Sequence, residues 1–111
     1  MAKIPVLVLD DDEDITLLTR SALAMHGYDV TESNDPLQAL ELVGEREFGL
    51  ILVDIMMPQM DGVEFISQAR QLRPDAPTRY AVLTAKKLDE AQRRAIFDLG
   101  AEIMTKPFIP I

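Results

Sequence analysis

Two hydrophobic periods alternate along this chain, and that alternation constrains its fold more than any other feature. Residues 4–9 form a short apolar run rich in β-branched side chains, the pattern of a buried strand. Ile15, Leu18, Ala22 and Met25 then recur at helical spacing. Residues 28–31 read as a second strand, and Leu37, Leu40 and Val43 as the apolar stripe of a second helix. Residues 50–53 are a continuous apolar run ending at Asp54, the most strand-like stretch of all. Val63, Ile66, Ala69 and Leu72 mark a third helix, and residues 80–83 a fourth strand ending at Thr84. Leu88, Ala91, Ala95 and Leu99 mark a fourth helix, and residues 103–105 a short fifth strand.

The punctuation agrees with this reading. Asp12 is placed to cap the first helix, with Glu13 and Asp14 favourable in its first turn, and Gly27 stops it. Asp35-Pro36 pairs a cap with proline at the first helical position, and Gln38 stands where a capping box wants it. Asp61 and Glu64 repeat the capping-box pattern after a loop that Pro58 keeps from being helical. Arg73-Pro74 ends the third helix and Gly100 closes the fourth. A strand followed by a helix, repeated and closed by a last strand, implies a parallel sheet with helices on both faces.

Composition narrows the function. The 111 residues suffice for one domain, and 48% hydrophobic with 27% charged residues excludes a disordered chain. There is no Cys, which excludes disulfides and thiolate metal sites, and the single His26, beside Gly27, reads as structural. Eleven Lys and Arg against nineteen Asp and Glu give a net charge of −8, a poor match for the phosphates of nucleic acid. The first apolar run is too short to span a bilayer or to serve as a signal-peptide core, and a wall of charge follows it. A soluble, cytoplasmic protein without membrane contact is the expectation.

In a parallel sheet all strand C-termini share one edge, and ligands bind there where the strand order reverses. Asp10 and Asp11 follow the first strand, Asp54 ends the third, Thr84 ends the fourth and Lys106 follows the fifth. Each has a plain structural reading: a solvated acidic loop for residues 10–14, a strand-end cap for Asp54, a turn residue for Thr84 and a surface charge for Lys106. Together they bring acids, a hydroxyl and an ammonium to one place. Carboxylates crowded together repel, and a divalent cation relieves them. Two carboxylates, a backbone carbonyl and waters are a set that Mg²⁺ accepts. Beside a metal an Asp carboxylate can act as a nucleophile toward phosphorus, with Thr84 and Lys106 assisting at the phosphoryl oxygens.

Asp10-Asp11, the segment from Leu50 through Asp54 to Pro58, Asp61-Gly62, Leu83-Thr84-Ala85, Leu99-Gly100-Ala101 and Lys106-Pro107-Phe108 resemble the receiver domain of two-component response regulators. The resemblance covers about residues 4–108, in order. It implies a flavodoxin-like, doubly wound five-stranded sheet of order 2-1-3-4-5. It also implies roles. Asp54 is the phosphoacceptor for a phosphoryl group from a sensor histidine kinase or phosphotransfer protein. Asp11 is the direct Mg²⁺ ligand, with Asp54 and the Met56 carbonyl, while Asp10 acts through metal-bound water. Thr84 is the switch hydroxyl and Lys106 the cation that pairs with the phosphoryl oxygens. Self-phosphorylation and dephosphorylation are then the only chemistry, and an output domain C-terminal in the parent protein, or a separate effector, is the recipient of the signal. Met56 and Lys86 flank the pocket at positions that tune phosphoryl lifetime in the family.

Two features depart from the family pattern. Ile103 stands where an aromatic residue is usual, so weaker or differently routed coupling to the outer face is expected. The sequence given also stops at Ile111, before the usual C-terminal helix; residues 1–111 then form a shortened receiver domain, with self-association through an uncovered face expected. Three other classes compete. An aspartyl phosphatase needs a second acid where Met56 stands, a flavin or nucleotide module is disfavoured by the acidic first loop, and a receiver that only binds partners is disfavoured by Asp54, Thr84 and Lys106.

Overall fold

The computed structural model describes residues 3–84 and 87–105. The elements run β1 (Pro5–Leu9), α1 (Glu13–Met25), β2 (Asp29–Ser33), α2 (Pro36–Glu45), β3 (Leu50–Asp54), α3 (Gly62–Leu72), β4 (Arg79–Thr84), α4 (Glu90–Asp98) and β5 (Glu102–Thr105). The strands form one parallel sheet of order β2-β1-β3-β4-β5, as expected. The chain leaves β1 toward β2, crosses back to β3 and continues the other way, so the order reverses between β1 and β3. Lys106, with the rest of residues 106–111, lies outside the described residues, as does Lys86.

The apolar runs are explained by two-sided burial. Leu7, Leu9, Ile51, Val53 and Val82 join Ala39, Val43, Phe65, Ile66, Ala69 and Ile96 in the larger core, beneath α2, α3 and α4. Val6, Val8, Leu52, Ala81 and Leu83 join Leu23 of α1 in the second. A strand covered on both faces keeps no polar alternation. Among the described residues no helix is long and apolar enough to cross a membrane.

The helix faces differ from the sequence reading. On α1 the buried residues are Thr16, Thr19 and Leu23, while Leu18 and Met25 of the expected stripe are exposed. Small threonines let the helix lie close to the sheet, and the Thr16 hydroxyl is satisfied by the Glu13 carbonyl at 3.0 Å. On α2, Pro36, Ala39 and Val43 are buried and Leu37 is exposed. On α3, Phe65 supplies the large core side chain and Leu72 faces out. On α4 the buried residue is Ile96.

The caps mostly follow the sequence. Asp12 accepts from Asp14 and Ile15, Asp35 from Leu37, and Asp61 from Glu64. Gly27 and Gly100 adopt φ of +87° and +72°, the left-handed conformation that ends a helix. Gln38, however, does not close a capping box: its Oε1 accepts from the Ser33 hydroxyl at 2.9 Å, and that hydroxyl in turn accepts from the Asp35 N–H at 3.3 Å. At α3 only the Asp61 half of the expected box forms, and the full capping box belongs instead to Asp89 and Gln92 at the start of α4. At the other end of α4 the Arg70 guanidinium donates to the Leu99 carbonyl at 2.7 Å and stacks 4.7 Å from the Tyr80 ring centroid. Burial pushes the Tyr80 phenol above its ordinary value, with Arg70 opposing.

Candidate functional site

Strand register carries the acids together. Leu9 pairs with Val53, so the next step along both strands sets Asp10 beside Asp54. Asp54 pairs with Leu83, which sets Thr84 one step beyond it, and Thr84 pairs with Thr105. Asp10, Asp54 and Thr84 are all buried, whereas Asp11 is exposed on the loop that follows β1. One carboxylate oxygen from each of Asp10, Asp11 and Asp54 lies within 4.8 Å of the others. The donors are all oxygens, with no imidazole or thiolate among them. Such a set suits a hard cation such as Mg²⁺ rather than zinc.

Backbone contacts hold these carboxylates in place. The Asp10 N–H donates to the Ser33 carbonyl at 3.2 Å, extending the pairing of β1 with β2 by one residue. Asp10 Oδ1 accepts from the Asp12 N–H at 2.9 Å. On β3, the Ile55 N–H donates to the Leu83 carbonyl at 3.1 Å, and Asp54 Oδ1 accepts from the Met56 N–H at 3.2 Å. The loop then turns back sharply, and the Gly62 N–H donates to the Ile55 carbonyl at 3.0 Å. A Cβ at Gly62 would meet the Asp54 carbonyl oxygen at 2.7 Å and the Ile55 Cα at 3.1 Å. Only glycine permits the start of α3 to sit against the backbone of the strand end that carries Asp54.

Met56 is exposed on this loop and, with Ile55 and Asp61, faces Asp89, Ala91 and Gln92 across a groove of about 300 Å³. Ile103 sits on β5 opposite Val82 with its side chain partly open to solvent. Of the residues expected at the site, Asp10, Asp11 and Asp54 converge, Thr84 ends the next strand, and Lys106 lies outside the described residues.

The sequence reading missed Asn34. Its Nδ2 donates to the Asp10 carbonyl at 2.8 Å and to Thr16 Oγ1 at 3.1 Å. The available signal was its position: a short polar residue directly after a strand, on the edge where the acids collect.

Comparison with known proteins agrees with the fold. The family model described as "Response regulator receiver domain" matches residues 6–110. The alkaline phosphatase synthesis transcriptional regulatory protein PhoP of Bacillus subtilis is 39% identical over 106 residues, which are 95% of this chain and 43% of that protein. Response regulator MprA of Mycobacterium leprae is 36% identical over 104 residues, 93% of this chain and 44% of that protein. The chain thus spans less than half the length of these curated relatives. Among solved structures, chemotaxis protein CheY4 of Vibrio cholerae superposes with a TM-score of 0.85 at 28% identity, covering 96% of this chain and 89% of that one. A CheY-like receiver domain protein of Methanospirillum hungatei gives 0.86 at 27% identity, covering 96% and 84%.

Proposed function

Because this chain belongs to the response regulator receiver domain family, whose members are phosphoacceptors in two-component signalling, we propose that Asp54 is the residue that takes the phosphoryl group. The observation that carries this reading is the approach of the Asp10, Asp11 and Asp54 carboxylates to within 4.8 Å at the edge where the strand order reverses.

Asp54 attacks the phosphorus of a phosphohistidine in line, forming an O–P bond as the N–P bond breaks. Asp11, Asp54 and the Met56 carbonyl would hold Mg²⁺ directly and Asp10 through water; when bound, the ion neutralises charge developing on the phosphoryl oxygens. The Thr84 hydroxyl donates to a phosphoryl oxygen and Lys106 pairs with another. The product adds about −1.5 to −2 charges to an acidic edge, so Thr84 and Lys106 reorganise around it. The phosphodonor is a sensor histidine kinase or phosphotransfer protein in the cytoplasm. Relatives more than twice this length support an output domain C-terminal to a receiver unit spanning residues 1–111.

Intact-mass measurement after incubation with acetyl phosphate tests this. With Mg²⁺ the expected result is one phosphoryl adduct, absent with chelator and absent in Asp54→Asn. An adduct that persists in Asp54→Asn would move the acceptor elsewhere.

A further inference from the structure

We infer that Asn34 is a positioning residue that sets the metal affinity of the acidic site by fixing the peptide between Asp10 and Asp11. This rests on the reading of Asp10, Asp11 and Asp54 as a Mg²⁺ site.

The Asp10 carbonyl only accepts hydrogen bonds, so the Asn34 amide must present its nitrogen. That nitrogen carries two hydrogens, and both are used: one on the Asp10 carbonyl at 2.8 Å, the other on Thr16 Oγ1 at 3.1 Å. Thr16 Oγ1 is buried and spends its own hydrogen on the Glu13 carbonyl at 3.0 Å, so it is left to accept. The amide therefore joins three elements: the end of β2, the end of β1 and the first turn of α1.

The consequence falls on Asp11. The Asp10 carbonyl and the Asp11 N–H share one rigid peptide plane. The Asp10 N–H is fixed by the Ser33 carbonyl at 3.2 Å, and the clamp from Asn34 fixes the other side of the same residue. Asp11 is exposed, and among the described residues its carboxylate makes no hydrogen bond, so its direction is inherited from the backbone. Groups one step behind the metal ligands commonly alter metal affinity 10- to 100-fold, roughly, when removed.

The test is a Mg²⁺ titration of the unphosphorylated full chain, followed by the backbone amide shifts of Asp10, Asp11 and Asp54. Asn34→Ala is expected to raise the apparent Kd about 10-fold. Thr16→Val, which removes one of the two acceptors, is expected to raise it less, and Thr16→Ser, which restores the hydroxyl, to return it to the wild-type value. Arg73→Ala is the control. It removes side-chain bonds to backbone carbonyls in a different part of the fold, from the Arg73 guanidinium to Val43 at 2.5 Å and to Gly44 at 3.4 Å. It is expected to lower stability without changing the Kd.

An Asn34→Ala protein with native amide dispersion and a Kd within twofold of wild type would overturn the inference while leaving the site reading intact. If Asn34→Ala does not fold, an unchanged Kd in Thr16→Val overturns it in the same way. Wild-type protein whose Asp10, Asp11 and Asp54 amides do not respond to Mg²⁺ would overturn the site reading and this inference together.

Discussion

Thr19 is fully buried on α1, and among the described residues its hydroxyl has no hydrogen-bond partner. A buried polar group left unsatisfied costs stability that an apolar group of the same shape does not. Thr19→Val keeps the branched shape and removes the hydroxyl, and should stabilise the protein by about 1 kcal/mol, read as a higher urea midpoint at unchanged slope. A lower midpoint would show that the hydroxyl is satisfied by solvent. At this scale the sequence is uneven as a guide. Asp54 is legible because it ends an unbroken apolar run, and Asp10 because a wall of acids begins there. Gly62 is legible only through the family resemblance, since its reason is a 2.7 Å approach to a carbonyl eight residues back, which no local pattern encodes. Asn34 was hidden because Asp35 and Pro36 already account for the same turn as a helix start.

Elements are more legible than their faces. Every strand and helix expected in the described region is present, because period and punctuation are local properties. Which face is buried depends on what the helix lies against. α1 carries leucines around much of its circumference, and close packing selected Thr16, Thr19 and Leu23 rather than the stripe through Leu18 and Met25. α4 is the extreme case: Ile96 is its one buried residue, and it carries exposed Phe97. Its stability therefore leans on its ends, the Asp89 and Gln92 box at the start and the contact from Arg70 to the Leu99 carbonyl at the finish. Asp89→Ala should cost about 1 kcal/mol. The loss should concentrate in α4, appearing as faster amide hydrogen exchange there while β1 and β3 keep their protection. Uniform acceleration across the sheet would instead mean that α4 unfolds only with the whole domain.

For the molecule as a whole, function and stability oppose each other at one edge of the sheet. The chain carries a net charge of −8, and the fold adds to that by drawing three carboxylates to within 4.8 Å. Like charges brought together weaken the compact state, and a cation that binds only the folded form restores what they take away. The protein should therefore gain stability with added Mg²⁺ by an amount set by linkage, about 2.7 kcal/mol at a concentration 100-fold above the Kd. Asp11 is the discriminating position, because it is exposed and its carboxylate supports no hydrogen bond of the fold among the described residues. Asp11→Asn should leave the metal-free protein as stable as wild type or slightly more so, and should flatten the rise of Tm with Mg²⁺. Calorimetry across a Mg²⁺ series at matched ionic strength holds general screening constant, so that any rise in Tm comes from the ion itself. If the two curves rise in parallel, the ion acts on the overall negative charge. If only wild type rises, the repulsion is held at the acidic edge, and binding there converts a local strain on the fold into the affinity the phosphoryl chemistry uses.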